Sequence, residues 1–168
     1  MTPIPPYRVG FGYDIHRVER NRPLVLAGVN IPSHFGLEGH SDADVMTHAI
    51  ADAILGAGGL PDIGHYFPPS DPSIKGIDSQ VILATARKEV EKMGYQIGNI
   101  DCTLIAEGPR IGPHRGEMKE ALSATLGIPL NCIGIKATSN EELDDLGQLL
   151  GIAAHAVCML LPAGTEEY

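Results

Sequence analysis

Between Tyr7 and Val18 the chain reads as a strand whose alternate positions include Gly10, Gly12, Asp14 and His16. Side chains at i and i+2 of a strand point to the same face. That face therefore begins bare, at two glycines, and ends with a carboxylate beside an imidazole. Glycine inside a strand weakens it and often marks the close approach of a ligand or another backbone. Asp-x-His also occurs in ordinary surface strands, so a metal-binding role here depends on what the rest of the chain supplies.

The next segments supply candidates. Pro23 to Pro32 reads as a small hairpin turning at Ala27-Gly28. Ser33 to His40 reads as a polar loop. A helix is expected to open at Ser41-Asp42-Ala43-Asp44, capped by Ser41 or Asp42. Its apolar stripe is Val45, Ala49, Ile50, Ala53 and Ile54, and Asp44, His48 and Asp52 share the opposing face. Gly56 to Gly59 ends it. Leu60 to Ile77 is a long loop of proline, glycine and aspartate, of the kind that is functional or mobile. Asp78 caps a second helix, Ser79 to Met93, closed by Gly94. Tyr95 to Ala106 is a strand, Gly108 to Pro113 a rigid loop, His114 to Leu126 a helix, and Cys132 to Thr138 a strand. Glu141 to Leu150 is ambiguous, and Ile152 to Leu161 is either a buried strand or a buried helix. Alternating strands and helices predict an α/β layer with helices packed on one face of a sheet. One domain, 1–168, is expected, with ends at 1–6 and 163–168 that fray.

Composition narrows the function. A net charge of −9 with no tryptophan argues against nucleic acid, and an anionic substrate would need metal ions or N–H donors to offset the protein's own field. The cysteines Cys102, Cys132 and Cys158 are odd in number and lack pair spacing, so buried reduced thiols and a reducing compartment are expected. No apolar run reaches the length of a membrane span, and the first residues lack the features of a secretory signal.

His48 could be a satisfied half-buried side chain, a solvated one, or a metal ligand whose second ring nitrogen is steered by a neighbouring carboxylate. Beside Asp14 and His16 it would complete two histidines and one carboxylate, leaving a zinc ion one open tetrahedral position. His40-Ser41, at a loop-to-helix junction, is either an oxyanion site or a cap. Asp62-Ile63-Gly64 suits ribose hydroxyls and is equally a plain turn. Thr138-Ser139-Asn140-Glu141 follows a strand. It could hold phosphate, with Glu141 on a hard cation such as Mg²⁺, or Ser139 to Glu142 could be an N-cap with its capping acid.

Taken in order, these pieces resemble the 2-C-methyl-D-erythritol 2,4-cyclodiphosphate synthase family. The resemblance runs from Arg8 to about Leu161. It rests on Gly12-Tyr13-Asp14-Ile15-His16, on His40-Ser41-Asp42-Ala43-Asp44-Val45 with His48, and on Asp62-Ile63-Gly64. Phe67-Pro68, Asp71-Pro72, Lys75-Gly76 with Asp78-Ser79, Gly94-Tyr95, Asn99-Ile100-Asp101 and Ile135-Lys136-Ala137-Thr138 continue the order.

The resemblance implies a homotrimer of ferredoxin-like α/β subunits, with active sites between neighbours. It implies cyclisation of a cytidine diphosphate substrate, 4-diphosphocytidyl-2-C-methyl-D-erythritol 2-phosphate, with release of CMP. Asp14, His16 and His48 would bind zinc, and magnesium or manganese would sit near Glu141. His40 and Ser139 would stabilise the transition state. Ser41 and Thr138 would contact substrate, Asp62, Ile63 and Gly64 would hold ribose, and Phe67 and Asp71 the methylerythritol. Ala106, Pro109, Arg110, Ile111 and Gly112 would form the cytosine pocket. A cytoplasmic location follows, or the plastid stroma where a transit peptide has been removed. Two rivals are a zinc-dependent phosphohydrolase on the same ligands and a non-catalytic trimer binding isoprenoid diphosphates.

The chain departs from the family pattern at Pro69, Arg110, Ser139 and, most, over Asp144 to Gly151. There the family commonly has Gly-Phe-x-Gly-Arg-x-Glu-Gly. Gln148 replaces the arginine that points towards the trimer axis, so weak binding of prenyl diphosphates is expected.

Overall fold

A computed structural model describes residues 5–165. The expected frayed ends at 1–6 and 163–168 fall mostly outside that range. Within it, Ala163 N–H donates to the Gly94 carbonyl and the Gln96 side chain donates to the Thr165 carbonyl, so these residues are tied to the segment Gly94 to Gln96.

The glycine-spaced stretch is β1 (Arg8–Glu19). Downstream lie the hairpin β2 (Leu24–Leu26) and β3 (Val29–Ile31), then β4 (Gly36–Leu37), α1 (Val45–Gly58), α2 (Ile63–Tyr66) and α3 (Ser79–Lys92). The second half contains β5 (Tyr95–Ile105), α4 (Arg115–Leu126), β6 (Ile133–Thr138), α5 (Asp144–Gly147) and β7 (Gly151–Pro162). The main sheet has five strands in the order β4-β1-β7-β5-β6, antiparallel except for the parallel pair β5–β6. This is a mixed α/β architecture with a mostly antiparallel sheet.

What lies against the glycines is α1. A Cβ on Gly12 would stand 1.9 Å from the Ala49 carbonyl oxygen, and one on Gly10 would stand 2.0 Å from that of Ala53. On the adjoining strand Ala154 and Ala156 face the same way, so helix and sheet meet backbone to backbone. The larger side chains Ile50, Ile54 and Leu55 fill the flanks and are fully buried. Each contributes about 1.5–3 kcal/mol by leaving water. Helices α3 and α4 extend the layer towards β5 and β6. On the sheet's other face Val9, Phe11, Tyr13, Ile15 and Val157 are exposed.

Several boundaries differ from expectation for local reasons. Asp44, rather than Ser41 or Asp42, caps α1, accepting from Thr47 N–H. Its carboxylate also accepts from Ala27 and Gly28 N–H, which fastens the hairpin turn to the helix start. Burial pushes the Asp44 carboxyl above its ordinary value. The polar loop contains β4, because Gly36 can approach the Pro23 carbonyl where a side chain could not. Ile152 to Leu161 is the central strand β7, whose small residues suit a position beneath α1. The loop Leu60 to Ile77 contains α2 and a short 3-10 turn at Pro72–Ile74.

Cys102 and Cys158 are buried and Cys132 is half-buried, all as free thiols. Burial raises the first two, Cys158 to about 12. Among the described residues no helix is long and apolar enough to cross a membrane.

Candidate metal centre and flanking loops

Asp14 and His16 leave β1 on the face that carries α1, just past the glycines. His48 sits one turn into α1, where the close packing brings it over them. Asp14 Oδ2 lies 2.8 Å from His16 Nε2 and 3.1 Å from His48 Nδ1, and the two nitrogens are 3.2 Å apart.

The protons of both rings are engaged elsewhere. His16 Nδ1–H donates to the Glu38 carbonyl at 2.6 Å. His48 Nε2–H donates to Ser79 Oγ at 2.8 Å, and Ser79 hydroxyl donates in turn to Asp42 Oδ1. With these tautomers, assigned from the hydrogen-bond network, three bare acceptor atoms converge. A tetrahedral ion bonded at about 2.0–2.1 Å sets its ligand atoms roughly 3.3 Å apart, close to the spacing seen. The donor set therefore fits a cation of mixed N and O preference, with a position left for a further ligand. The charge balance points the same way. Burial alone would raise the Asp14 carboxyl, but in the alternative state with His16 and His48 protonated, their hydrogen bonds and positive charge outweigh it and bring it down to about 2. Burial would lower His16, and its bond to Asp14 reverses that shift.

The steering partner of His48 differs from the expectation. Neither Asp44 nor Asp52, its neighbours on the helix, reaches the second ring nitrogen. Ser79, fully buried at the start of α3, does so, with Asp42 behind it accepting from both Ser79 N–H and hydroxyl. The sequence shows Asp42 only as a cap candidate and Ser79 only as the first residue of a later helix, 37 positions on, and no local signal pairs them.

Ser41 is buried, with its hydroxyl 3.3 Å from His48 Nε2 and accepting from Ala43 N–H, while His40 is exposed. Arg22 braces this junction by donating to the Gly39 and Ser41 carbonyls at 2.5 and 2.6 Å. Asp62 and Gly64 are exposed, and Ile63 and Phe67 are half-buried. Asp71 caps the 3-10 turn through Ser73 N–H.

The remaining candidates form a second group on the parallel pair β5–β6. The loop from Ala106 to Gly112 contains a cis Gly108–Pro109 bond, an exposed Arg110 and a buried Ile111. Ala106 N–H bonds the Thr138 carbonyl. Glu107, which the sequence reading did not single out, accepts from Asn140 and Glu142 N–H and so fixes the neighbouring loop. Ser139 begins no helix; its hydroxyl accepts from Glu141 N–H in a tight turn, which removes the N-cap alternative. Among the described residues the Glu141 carboxylate makes no hydrogen bond, and it is exposed. Gln148 donates to the Glu142 carbonyl within its own loop at 2.8 Å.

The two groups share one end of the sheet but stay apart within the chain. Ile15, Ala153, Ile105 and Thr138 are successive partners across β1, β7, β5 and β6. Three inter-strand steps at about 4.8 Å put the metal-ligand strand roughly 14 Å from Thr138.

Comparison with known proteins agrees with this layout. The model of the YgbB family matches residues 7–161. A 2-C-methyl-D-erythritol 2,4-cyclodiphosphate synthase of Akkermansia muciniphila is 59% identical over 90% of this chain and 90% of its own. The IspF–CDP complex of Plasmodium falciparum superposes with a TM-score of 0.85 at 34% identity, over 96% of this chain and all of that one. The bifunctional IspDF of Campylobacter jejuni superposes with a TM-score of 0.90 at 37% identity, over 93% of this chain, which spans 42% of that larger protein. The chain belongs to the YgbB family.

Proposed function

We propose that this chain is a single-domain enzyme over 1–168 that converts 4-diphosphocytidyl-2-C-methyl-D-erythritol 2-phosphate to 2-C-methyl-D-erythritol 2,4-cyclodiphosphate and CMP. The observation that carries the reading is the convergence of three acceptor atoms at Asp14, His16 and His48, in a chain so similar to synthases of that name. The 2-phosphate oxygen attacks the β-phosphorus, and the bond from that phosphorus to the oxygen shared with the α-phosphate breaks, releasing CMP. Such a transfer asks for positioning and charge neutralisation rather than a covalent catalyst.

Asp14, His16 and His48 would hold zinc, and Glu141 would help to hold magnesium or manganese. When bound, the two ions neutralise phosphate oxygens that a protein of net charge −9 would otherwise repel. Asp62 accepts from ribose hydroxyls, with Ile63 and Gly64 allowing close approach. Phe67 and Asp71 border the methylerythritol. Ala106, Pro109, Arg110, Ile111 and Gly112 enclose cytosine. Ser41 and Thr138 fix phosphate oxygens, and His40 and Ser139 donate to them in the transition state.

The subunit is a ferredoxin-like layer that assembles as a homotrimer in the cytoplasm, or in the stroma of a plastid. Two observations support the trimer. The sheet face opposite α1 presents Val9 and Phe11 at 70% and 61% exposure beside Tyr13, Ile15 and Val157, an apolar surface that association would cover. The separation of the metal ligands from Thr138 and Glu141 is also accounted for if each site takes one group from each of two subunits.

Incubation of the metal-loaded protein with the substrate tests the reaction. Equal amounts of CMP and the cyclic diphosphate are expected. Inorganic phosphate without the cyclic product would instead identify a phosphohydrolase on the same ligands.

A further inference from the structure

Asp62 occupies the N-cap of α2 in extended backbone geometry, with φ −69° and ψ 175°. An aspartate there ordinarily turns its carboxylate back onto the first N–H groups of its own helix. This one makes no such bond. Its exposed Oδ1 instead lies over Gly64, 3.3 Å from where a Cβ would stand. The N–H of Ile63, the first residue of α2, is taken by a different carboxylate: Asp52 Oδ1, on α1, accepts it at 2.8 Å.

Asp52 lies one turn beyond His48 on the same helix. It is half-buried, and its environment is mixed. Burial raises its carboxyl, the Ile63 N–H lowers it, and the neighbouring Asp62 charge raises it again. Two carboxylates thus stand side by side at the start of a four-residue helix, and only one caps it.

We propose that Asp52 is a positioning residue for the nucleotide turn: it caps α2 from outside and so leaves the Asp62 carboxylate for ribose hydroxyls. The proposal rests on the nucleotide-binding reading given above and adds to it a residue that contacts neither metal nor substrate. The arrangement has a mechanical consequence. The ribose turn is tied to α1, the helix that packs against β1 and carries His48, so the distance from nucleotide to metal is set by one rigid element.

The test uses CDP as probe, titrated by calorimetry into the zinc-loaded protein and its Asp52→Ala, Asp52→Asn and Asp62→Ala variants. Asp52→Ala should weaken CDP binding roughly tenfold, as expected for loss of one hydrogen bond to a charged acceptor. Zinc content should stay at the unmodified value, and exchange of the Ile63 amide hydrogen should accelerate. Asp52→Asn keeps an oxygen acceptor for Ile63 N–H and should restore most of the affinity. In turnover the loss from Asp52→Ala should fall on KM with kcat nearly held. CDP affinity unchanged in Asp52→Ala but lowered in Asp62→Ala would overturn this proposal alone. An Asp52→Asn variant as weak as Asp52→Ala would also overturn it. An unmodified protein that does not bind CDP would overturn the nucleotide reading and this proposal together.

Discussion

The metal centre and the loop after β6 are built on opposite terms. At the candidate metal centre the groups behind the converging acceptor atoms are all partnered. His16 is held by Glu38, His48 by Ser79, and Ser79 by Asp42, and the helix beneath them fits the sheet so closely that two glycines are required. The segment from Ser139 to Leu150 is exposed over most of its length, and Glu141, Glu142, Asp144 and Leu149 all adopt positive φ, between 53° and 62°. Side chains in that region cost about 1–2 kcal/mol each. Asp144 offsets part of this by accepting from Leu146 and Gly147 N–H. The contrast separates two tasks. Fixing an ion needs rigidity that the core can supply, whereas the exposed loop holds strained backbone away from the core.

The largest break in this comparison comes from His48→Ala. Removing one of three ligands should lower bound zinc below one per subunit and reduce CMP release more than about 100-fold, beyond the 10–100-fold typical of changes behind a ligand. The proposed trimer should form as it does in the unmodified protein, as read by sedimentation. Full zinc content with near-normal activity would remove His48 from the centre.

Ser79→Ala comes next. It leaves every ligand in place but takes away the acceptor that orients the His48 ring. Zinc affinity should fall about 10–100-fold in competition with a chelator. Long-range proton–nitrogen spectra should show His48 losing its preference for the Nε2–H tautomer. The loop after β6 should be untouched, so amide exchange at Gly147 should not change.

The smallest effect is on the other side. Glu142→Gly keeps the carbonyl that Gln148 uses and removes a side chain at φ 62°. It should stabilise the protein by up to about 1 kcal/mol, or roughly 2–4 °C in melting temperature, with zinc affinity unchanged. A fall in melting temperature would show that the left-handed turn carries no strain.

Much of the first region was legible in the sequence. The spacing Gly10-x-Gly12-x-Asp14-x-His16 predicts both the close approach and the shared face, and the structure shows α1 as what approaches. His48 was readable as a candidate because its helical position suited no apolar stripe. Its partner was not readable: Ser79 and Asp42 lie on different elements and meet only when α3 packs beside α1. Asp44 illustrates the same limit. A helix-start aspartate signals a cap, but its bonds to Ala27 and Gly28 depend on where the hairpin lands. Glu141 to Leu150 stayed ambiguous because its geometry rests on left-handed residues that are not glycine, which local propensity cannot foresee. Asp52 was visible only as one of three acids on a helix face, since its role lies in a bond to a loop 11 residues away.

Under the proposed function, catalysis needs both regions, each taken from a different subunit. Mixing two inactive proteins tests it directly. His48→Ala lacks a complete metal centre, and Glu141→Ala lacks the loop carboxylate. When the two are unfolded and refolded together, some interfaces pair an intact Asp14-His16-His48 centre with an intact Ser139–Glu141 loop. CMP release should then return, although neither variant shows it alone. If native mass spectrometry proves that mixed oligomers have formed and CMP release stays absent, the two regions do not build one site across a subunit boundary.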